Sequence, residues 1–240
     1  MSIRNKIEKS KGKSYTLDLR IHSPASLGYQ SIQGIETADA LVRLCKVKGI
    51  DVIAITDSNS GEYIDRVVSS AKDHPLLVLP GVEIRCRLAE CDDVTLACIF
   101  PEGAGSTLVE SFLERLNIPK KARGRTDHVV SQDLSSIIEL VDEFNGVVIP
   151  CRMDKTPQRM RVLPILVEEF GFRTFELAYG DTAKFFKKKW PKLKFNLISF
   201  SEAKALAQVG SRTAKAKLPK PGIEGIREYA KRESIVLSTQ

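Results

Sequence analysis

Two kinds of apolar stretch alternate along the chain. Short, continuous stretches such as 51–56 are typical of strands that are buried on both faces of a parallel sheet. Longer stretches repeat apolar residues at helical spacing. Residues 133–144, for example, place them on one face of a helix that ends just before Gly146. The alternation predicts a chain built from successive strand and helix units.

The same pattern predicts where each element lies. Strands are expected at 15–21, 51–56, 76–85 with a break at Pro80-Gly81, 94–100, 146–150, 173–178, 195–200 and 234–238. Helices are expected at 36–48, 62–72, 106–116, 133–144, 159–170, 181–189, 201–208 and 222–232, and a loop at 117–132. Repeated βα units wind right-handed and close into a barrel or an open parallel sheet. About seven such units therefore predict a single α/β domain.

Composition limits the class of protein. The 240 residues are 42% hydrophobic and 28% charged, as in ordinary globular domains. No apolar run approaches the roughly 18 residues of a membrane span, and the N-terminus lacks the apolar core of a secretory signal. The five cysteines are an odd number and include no C-x-x-C pair, which favours a reduced, cytoplasmic compartment.

A net charge of +7 favours a polyanionic partner such as nucleic acid, with a solvated basic surface as the alternative. Two clusters are candidates for contacts with the phosphate backbone. One lies in the predicted loop and the other precedes Trp190. Their residues are Lys120, Lys121, Arg123 and Arg125, and Lys187, Lys188 and Lys189.

Glycine-rich phosphate-binding motifs are absent from the sequence. Residues 27–29 after the first predicted strand read Leu-Gly-Tyr and do not begin a G-x-G-x-x-G motif, and no G-x-x-x-x-G-K-[ST] motif occurs. Dinucleotide-binding and P-loop functions are therefore not expected.

Polar residues instead follow several predicted strands, where the carboxyl ends of barrel strands form a site. The segments are Asp18-Leu-Arg-Ile-His-Ser23, Ile53-Ala-Ile-Thr-Asp-Ser58, Gly81-Val82-Glu83, Cys151-Arg152-Met153 and Ser201-Glu-Ala-Lys204. In this order they resemble the motifs of the PHP (polymerase and histidinol phosphatase) family, and most closely the PHP domains at the N-terminus of large ATPase proteins. The resemblance implies a distorted (β/α)7 TIM-like barrel of residues 14–240, preceded by a basic arm of residues 1–13. It also implies a metal cluster that hydrolyses phosphoesters.

The chain departs from that family at the positions of its metal ligands. Residues of other types stand where the resemblance expects histidines: Arg20, Ser58, Thr95, Arg152 and Lys204. His22, Asp57 and Glu83 match the family, and Glu202 replaces an aspartate. Arginine cannot ligate a metal, because it stays protonated in proteins. A divalent ion about 4 Å from one such cation is opposed by about 8 kcal/mol near a protein surface.

We therefore expect no metal cofactor, with zinc or manganese at the residual ligand positions His22, Glu83 and Glu202 as the alternative. The cations and carboxylates at the tips are expected to form ion pairs that fill the site. Alternatively, they bind a phosphate through Arg20, His22, Arg152 and Lys204. A third alternative is residual hydrolysis that uses His22, Asp57 and Glu83.

The sequence thus predicts a degenerate, metal-free PHP-like domain and favours a non-enzymatic role, with phosphoester hydrolysis as the reaction if the chain is active. It would act as a binding or scaffolding module for a phosphate group, nucleic acid or a protein partner, with no membrane involved. The alternative is a metal-dependent phosphoesterase of the PHP family with an altered site.

Overall fold

The eight strands of the structure, a computed structural model that describes residues 12–233, form one sheet. They are β1 Lys13–Ile21, β2 Val52–Ile55, β3 Leu77–Leu88, β4 Cys91–Ile99, β5 Val147–Cys151, β6 Thr174–Glu176, β7 Asn196–Ile198 and β8 Ala214–Leu218. Their order is β7-β6-β5-β4-β3-β2-β1-β8, and the sheet curls into a nearly closed barrel. The predicted α/β, TIM-like barrel is confirmed. The predicted strand at 234–238 and most of the arm at 1–13 lie outside the described residues.

Helices connect most of the strands. They are α1 Thr37–Val47, α2 Ile64–Ala71, α3 Gly105–Arg115, α4 Leu134–Glu143, α5 Pro157–Arg161, α6 Leu163–Glu168, α7 Thr182–Lys189 and α8 Ile223–Tyr229. Short 3-10 helices occupy Lys120–Ala122 and Leu206–Gln208. None of these helices is long and apolar enough to cross a lipid bilayer.

Local signals explain several of the helix boundaries. Asp133 caps α4 by accepting a hydrogen bond from the amide of Ser136 at 2.8 Å. The predicted helix at 159–170 is divided at Val162 into α5 and α6, because Pro164 in the first turn of α6 has no amide hydrogen to continue the helical ladder.

The strand direction differs from the prediction at β4. The strand β3 pairs in parallel with β2 as far as Pro80 and then antiparallel with β4, which also runs antiparallel to β5. Only Ala89 and Glu90 connect β3 to β4, and Ala89 takes a positive φ of 49°. A hairpin of this length forces antiparallel pairing, since a parallel connection needs a crossover of a dozen or more residues.

The segment after β7 also departs from the prediction. Residues 201–208 form an extended segment that ends in a 3-10 helix, whereas the sequence predicted an α-helix. Glu202 takes a φ of +50°, which is incompatible with helix, and Ala205 bridges to Gln30. The strand β8, which the sequence did not predict, follows and pairs antiparallel with β1.

A bulge in β1 turns the site residues toward the inside of the barrel. Leu17 and Leu19 pack in the cluster that fills the barrel, whereas Ile21 packs in the outer cluster beneath the helices. Strand alternation would keep these three residues on one face, but the β1–β2 register shifts between Asp18 and Ile21. The shift therefore brings Arg20 to the inner side.

Candidate functional site

Arg20 lies at the centre of a buried carboxylate cluster at the mouth of the barrel. Its Nη1 donates to Glu176 Oε2 at 3.0 Å, and its Nε donates to Glu83 Oε2 at 3.0 Å. Its Nη2 donates to the same Glu83 oxygen at 2.5 Å and to Glu202 Oε1 at 3.1 Å. Since Arg20 is only 2% exposed, these three carboxylates rather than water neutralise its charge.

Arg152 extends this cluster toward the solvent. Its Nη2 lies 2.7 Å from Glu202 Oε2, and its Nε lies 3.7 Å from Glu176 Oε1. Arg152 and Glu202 both take left-handed backbone conformations, with φ of 49° and 50°. Non-glycine residues adopt this conformation at a cost, which the surrounding structure must offset. The two turns therefore hold an ion pair that is more exposed than Arg20 and shares Glu202 with it.

Glu176 belongs to the site although the sequence analysis did not select it. It is the last residue of β6, it is fully buried, and it pairs in register with Cys151 at the end of β5. A carboxylate that ends a predicted buried strand is the signal that could have found it, because strand ends form the mouth of the barrel.

His22 is held by a buried network of hydroxyls around Asp57. Its Nδ1 lies 2.9 Å from Ser26 Oγ, and this hydroxyl donates to Asp57 at 2.6 Å. Asp57 also accepts from the Ser23 amide at 2.7 Å and the Ser23 hydroxyl at 2.5 Å. Because Ser26 donates to Asp57, Nδ1 carries the hydrogen in the neutral tautomer. His22 Nε2, without a hydrogen-bond partner in the described part of the chain, then carries the lone pair, 3.7 Å from Glu83.

Lys204 stands apart from the buried cluster. It is half-buried on the loop after β7, where its amide donates to Gln208 Oε1 at 2.8 Å. Its ammonium group makes no ion pair with any residue between 12 and 233, but it lies near enough to help lower the pKa of Glu83. Among the cations that replace expected histidines, Lys204 is the one still available to a ligand.

The remaining tip residues have structural partners. Asp18 accepts from the amides of Ser201 and Gly210, each at 3.1 Å, and thereby anchors the loop that carries Glu202. Thr95 Oγ1 accepts from Arg159 Nη2 at 2.9 Å. Arg159 lies in α5, is 4% exposed, and also pairs with Asp93 at 2.9 Å, so it is a further buried cation that the sequence analysis missed.

Burial and charge act in opposite directions on the carboxylates of the cluster. Burial alone would raise the pKa of Glu83, but the Arg20 guanidinium outweighs it and lowers that pKa to about 2. For Glu176 burial prevails over Arg20 and raises its pKa. Burial opposes ionisation of Glu202 too, yet Arg20 and Arg152 keep its pKa below the usual value. Burial also lowers the pKa of His22, so its imidazole is neutral at pH 7.

The residues present do not fit a metal cluster. Nε2 of His22 and carboxylate oxygens of Glu83 and Glu202 lie within 4.8 Å of one another, which is the spacing of a three-ligand site. However, both carboxylates are already bonded to the fixed cation of Arg20, and Glu202 is also bonded to Arg152. A divalent ion in this space would displace these pairs and lie beside a guanidinium group, at a cost of about 8 kcal/mol for a separation of about 4 Å.

The basic loop lies at the mouth. The Gly124 amide donates to Ser58 O, and the Leu27 amide donates to Gly124 O, so residues 120–125 pack on the tips of β1 and β2. Arg123 is paired with Glu110 at 2.9 Å and Arg125 with Asp127 at 2.6 Å. Lys120 and Lys121 are exposed and form no ion pair within residues 12–233.

The second basic cluster lies away from the mouth. The first residue of α7, Thr182, bonds Asp154 at the mouth, and the helix then runs about 12 Å toward the amino end of β7. Lys187, Lys188 and Lys189 occupy its far end. Trp190 is buried there and donates to Glu168 at 2.8 Å, so its ring is not available to stack on a base.

Solved structures with the same architecture have been found, although no protein-family model and no curated protein sequence matches the chain. The lesion-specific endonuclease PfuEndoQ from Pyrococcus furiosus superposes with a TM-score of 0.65 at 16% identity. A complex of Endonuclease Q with a 27-mer duplex that carries an abasic lesion at the active site gives 0.61 at 16% identity. A two-domain protein from Bacteroides vulgatus, with a predicted PHP-like metal-dependent phosphoesterase, gives 0.58 at 14% identity.

The chain has the fold of the PHP-like phosphoesterases. The three superpositions cover 91%, 90% and 92% of this chain, respectively. The chain spans only 56%, 56% and 63% of the length of those proteins. Sequence identities this low establish the fold and leave the activity to the residues of the site.

Proposed function

We propose that this PHP-fold chain is a binding module for nucleic acid in which an internal guanidinium has replaced the metal centre. The observation that carries the proposal is the position of Arg20. Its side chain binds Glu83, Glu176 and Glu202 at once, so the carboxylates that would otherwise ligate a divalent ion are already paired with a fixed cation.

Without a metal, the remaining residues are poorly suited to hydrolysis. Bound metal ions lower the pKa of water and stabilise charge on the reacting phosphate. His22 presents a neutral imidazole beside the ionised Glu83, and Asp57 is occupied by three hydrogen bonds from Ser23 and Ser26. A general base alone contributes about 10²–10⁴-fold, which is far less than phosphoester hydrolysis requires.

Recognition of a polyanion is supported by lysine side chains that form no ion pair within the described residues. Arg20 and Arg152 are committed to carboxylates, so we assign the phosphate contacts to Lys204, Lys120 and Lys121 rather than to these arginines. Lys120 and Lys121 lie on the loop that packs on the tips of β1 and β2, Lys204 lies on the loop after β7, and the net charge of the chain is +7. The solved complex of Endonuclease Q with a 27-mer duplex substrate supports nucleic acid as the ligand class.

The decisive experiment compares the wild-type chain with Arg20→His in calorimetric titrations with manganese and zinc chloride. We expect no binding to the wild type. We expect gain of a site in the variant, because the substitution removes the fixed cation and supplies an imidazole next to Glu83 and Glu202. Arg115→His, in an exposed ion pair, is the matched control. Stoichiometric metal in the purified wild-type chain would overturn the proposal.

A second candidate function is a metal-dependent phosphoesterase with an altered site. The observation that favours it is the free lone pair of His22 Nε2 within 4.8 Å of ligand oxygens on Glu83 and Glu202. It requires Arg20 to leave the cluster when a metal enters. This function predicts manganese-dependent hydrolysis of bis(p-nitrophenyl) phosphate that is lost in both Glu83→Gln and His22→Asn. Activity that survives both substitutions would come from a contaminant.

A further inference from the structure

The outer face of α1 borders an exposed apolar groove of about 750 Å³. We call it the α1 groove; its apolar lining comes from the loop before α1, from the helix itself and from the 3-10 helix after β7. The apolar residues that line it include Ile32, Ile35, Ala40, Leu44, Val47 and Leu206. The groove lies outside the carboxylate cluster, and none of the functions discussed above uses it.

Exposure of large hydrophobic side chains is concentrated at this groove. Six such side chains are exposed within residues 12–233, and three of them line it: Val47 at 83%, Ile32 at 53% and Ile35 at 48%. Isolated exposed apolar residues need no explanation, but a contiguous group rimmed by charges is typical of an interaction surface. Val47 is the most exposed of the three, so a partner that covers the groove would bury it most.

The charges along α1 are separated by sign. Glu36 and Asp39 lie at its amino end, whereas Arg43, Lys46 and Lys48 lie at its carboxyl end. All five are exposed. At helical spacing Glu36, Ala40, Arg43 and Val47 share the stripe opposite the buried face. Because of this separation, a second α1 that runs antiparallel to the first places its basic end against the first helix's acidic end.

We propose that the α1 groove is the interface of a symmetric homodimer, with the occupant a second copy of this chain. In an antiparallel α1–α1 pair related by a two-fold axis, Val47 of each copy enters the hollow near Ile35 of the other. The acidic end of each helix then faces the basic end of the other, so Asp39 approaches Arg43 of the second copy. Isologous interfaces of this kind are the commonest in homo-oligomers.

Charge complementarity is what selects a second copy over another partner. An unrelated amphipathic segment would need its own matching charge order, whereas the antiparallel copy supplies it by symmetry. Arg43 forms no ion pair within the described chain and is therefore free to pair across the interface. The only bond of Asp39 in the described residues is with Ser70 Oγ at 2.6 Å, which leaves its second carboxylate oxygen available.

Sedimentation equilibrium of the full chain across nanomolar to high micromolar concentrations tests the proposal. We expect a reversible monomer–dimer equilibrium. Val47→Glu should raise the dissociation constant at least about 100-fold, because it places a charge at a position that the interface buries. Because Val47 is 83% exposed, this variant should retain its circular dichroism spectrum and unfolding midpoint. Tyr179→Glu, at a 59% exposed site beyond β6, is the control that should leave dimerisation unchanged.

Charge reversal then separates this geometry from any other dimer. Asp39→Arg and Arg43→Glu should each weaken the dimer, and the double variant should restore most of its affinity, since only an antiparallel pair exchanges these positions. A chain that stays monomeric at every concentration overturns the proposal. So does a dimer that is insensitive to Val47→Glu, or one that the double charge reversal fails to rescue.

Discussion

At the scale of single residues, Arg20 organises the mouth of the barrel. Four carboxylate contacts converge on one guanidinium group, and the planar fork of arginine can satisfy Glu83 and Glu176 at the same time. A lysine at this position would offer one point charge and could not bridge the two strands in the same way. The residue type therefore determines that the cluster is held together from its centre.

Replacing Arg20 by methionine should destabilise the fold strongly. The substitution removes the cation that binds both Glu83 and Glu176, which are 3% and 0% exposed, and within the described residues leaves only Arg152, 3.7 Å from Glu176, as a nearby arginine. We expect the free energy of unfolding to fall by about 3–5 kcal/mol. Urea denaturation followed by the fluorescence of the single tryptophan, Trp190, measures it. Arg115→Met removes an exposed pair with Glu143 and should change stability by under about 1 kcal/mol. Equal losses in the two variants would contradict the central role of Arg20.

The lowered pKa of Glu83 predicts a dependence of stability on pH. Its folded pKa is about 2 against a usual value of 4.5, so the contribution of its charge is complete above pH 4.5 and is lost as the pH falls through 2. The stability difference between wild type and Glu83→Gln should therefore shrink by about 2 kcal/mol from pH 6 to pH 3. Urea unfolding at both pH values checks it. A difference that stays constant would mean that Glu83 titrates normally in the folded state.

At the scale of elements, loops and a bulge in β1 determine where the polar and charged side chains of the site lie. The bulge in β1 carries Arg20 to the inner side, and the hairpin between β3 and β4 reverses the strand that carries Thr95. The basic loop packs against the tips of β1 and β2, whereas α7 carries its lysines to the opposite end of the barrel. A short oligonucleotide at the mouth can therefore contact the loop but not the end of α7.

Removal of the loop lysines should weaken DNA binding. We expect Lys120→Ala combined with Lys121→Ala to lower the affinity for a fluorescent oligonucleotide. The slope of log affinity against log salt should fall by about two, one for each lost phosphate contact. Lys187→Ala combined with Lys188→Ala removes the same charge at the far end of α7 and should have little effect. Fluorescence anisotropy across a salt series measures both. The opposite ranking would place the nucleic acid on α7.

At the scale of the whole molecule, buried ion pairs connect the strands at the mouth of the barrel. The pairs of Arg20 and Arg152 connect β1, β3, β6 and the loops after β5 and β7. In a protein with a structural metal, the ion supplies such connections, and the metal's binding energy adds to stability.

Chelation should therefore leave the molecule unaffected. If the carboxylates are held by Arg20 as proposed, dialysis against EDTA, and then addition of zinc or manganese, should not move the thermal unfolding midpoint, because an ion shifts the midpoint only when it binds the folded state. Arg20→His is the informative comparison, since its midpoint should rise when metal is added. A wild-type midpoint that falls by several degrees on chelation would show a bound metal.

The sequence by itself determined the class of fold and most of the site. Strand and helix periodicity located nearly every element, and the tip motifs identified Arg20, Glu83, Arg152 and Glu202, which the structure brings into one cluster. These features are local, because burial pattern and strand ends are encoded in neighbouring residues. The assignment of nucleic-acid contacts to the lysines remains a prediction.

Tertiary structure alone decided which charges meet. Glu176 and Arg159 entered the site through pairings with residues far away in the chain, at sequence separations of 156 and 64. The strand β8 and the left-handed turns at Arg152 and Glu202 likewise depend on long-range packing. Whether two charged residues pair depends on their distance and burial in three dimensions. The sequence could therefore identify the cations but could not predict which carboxylates they contact.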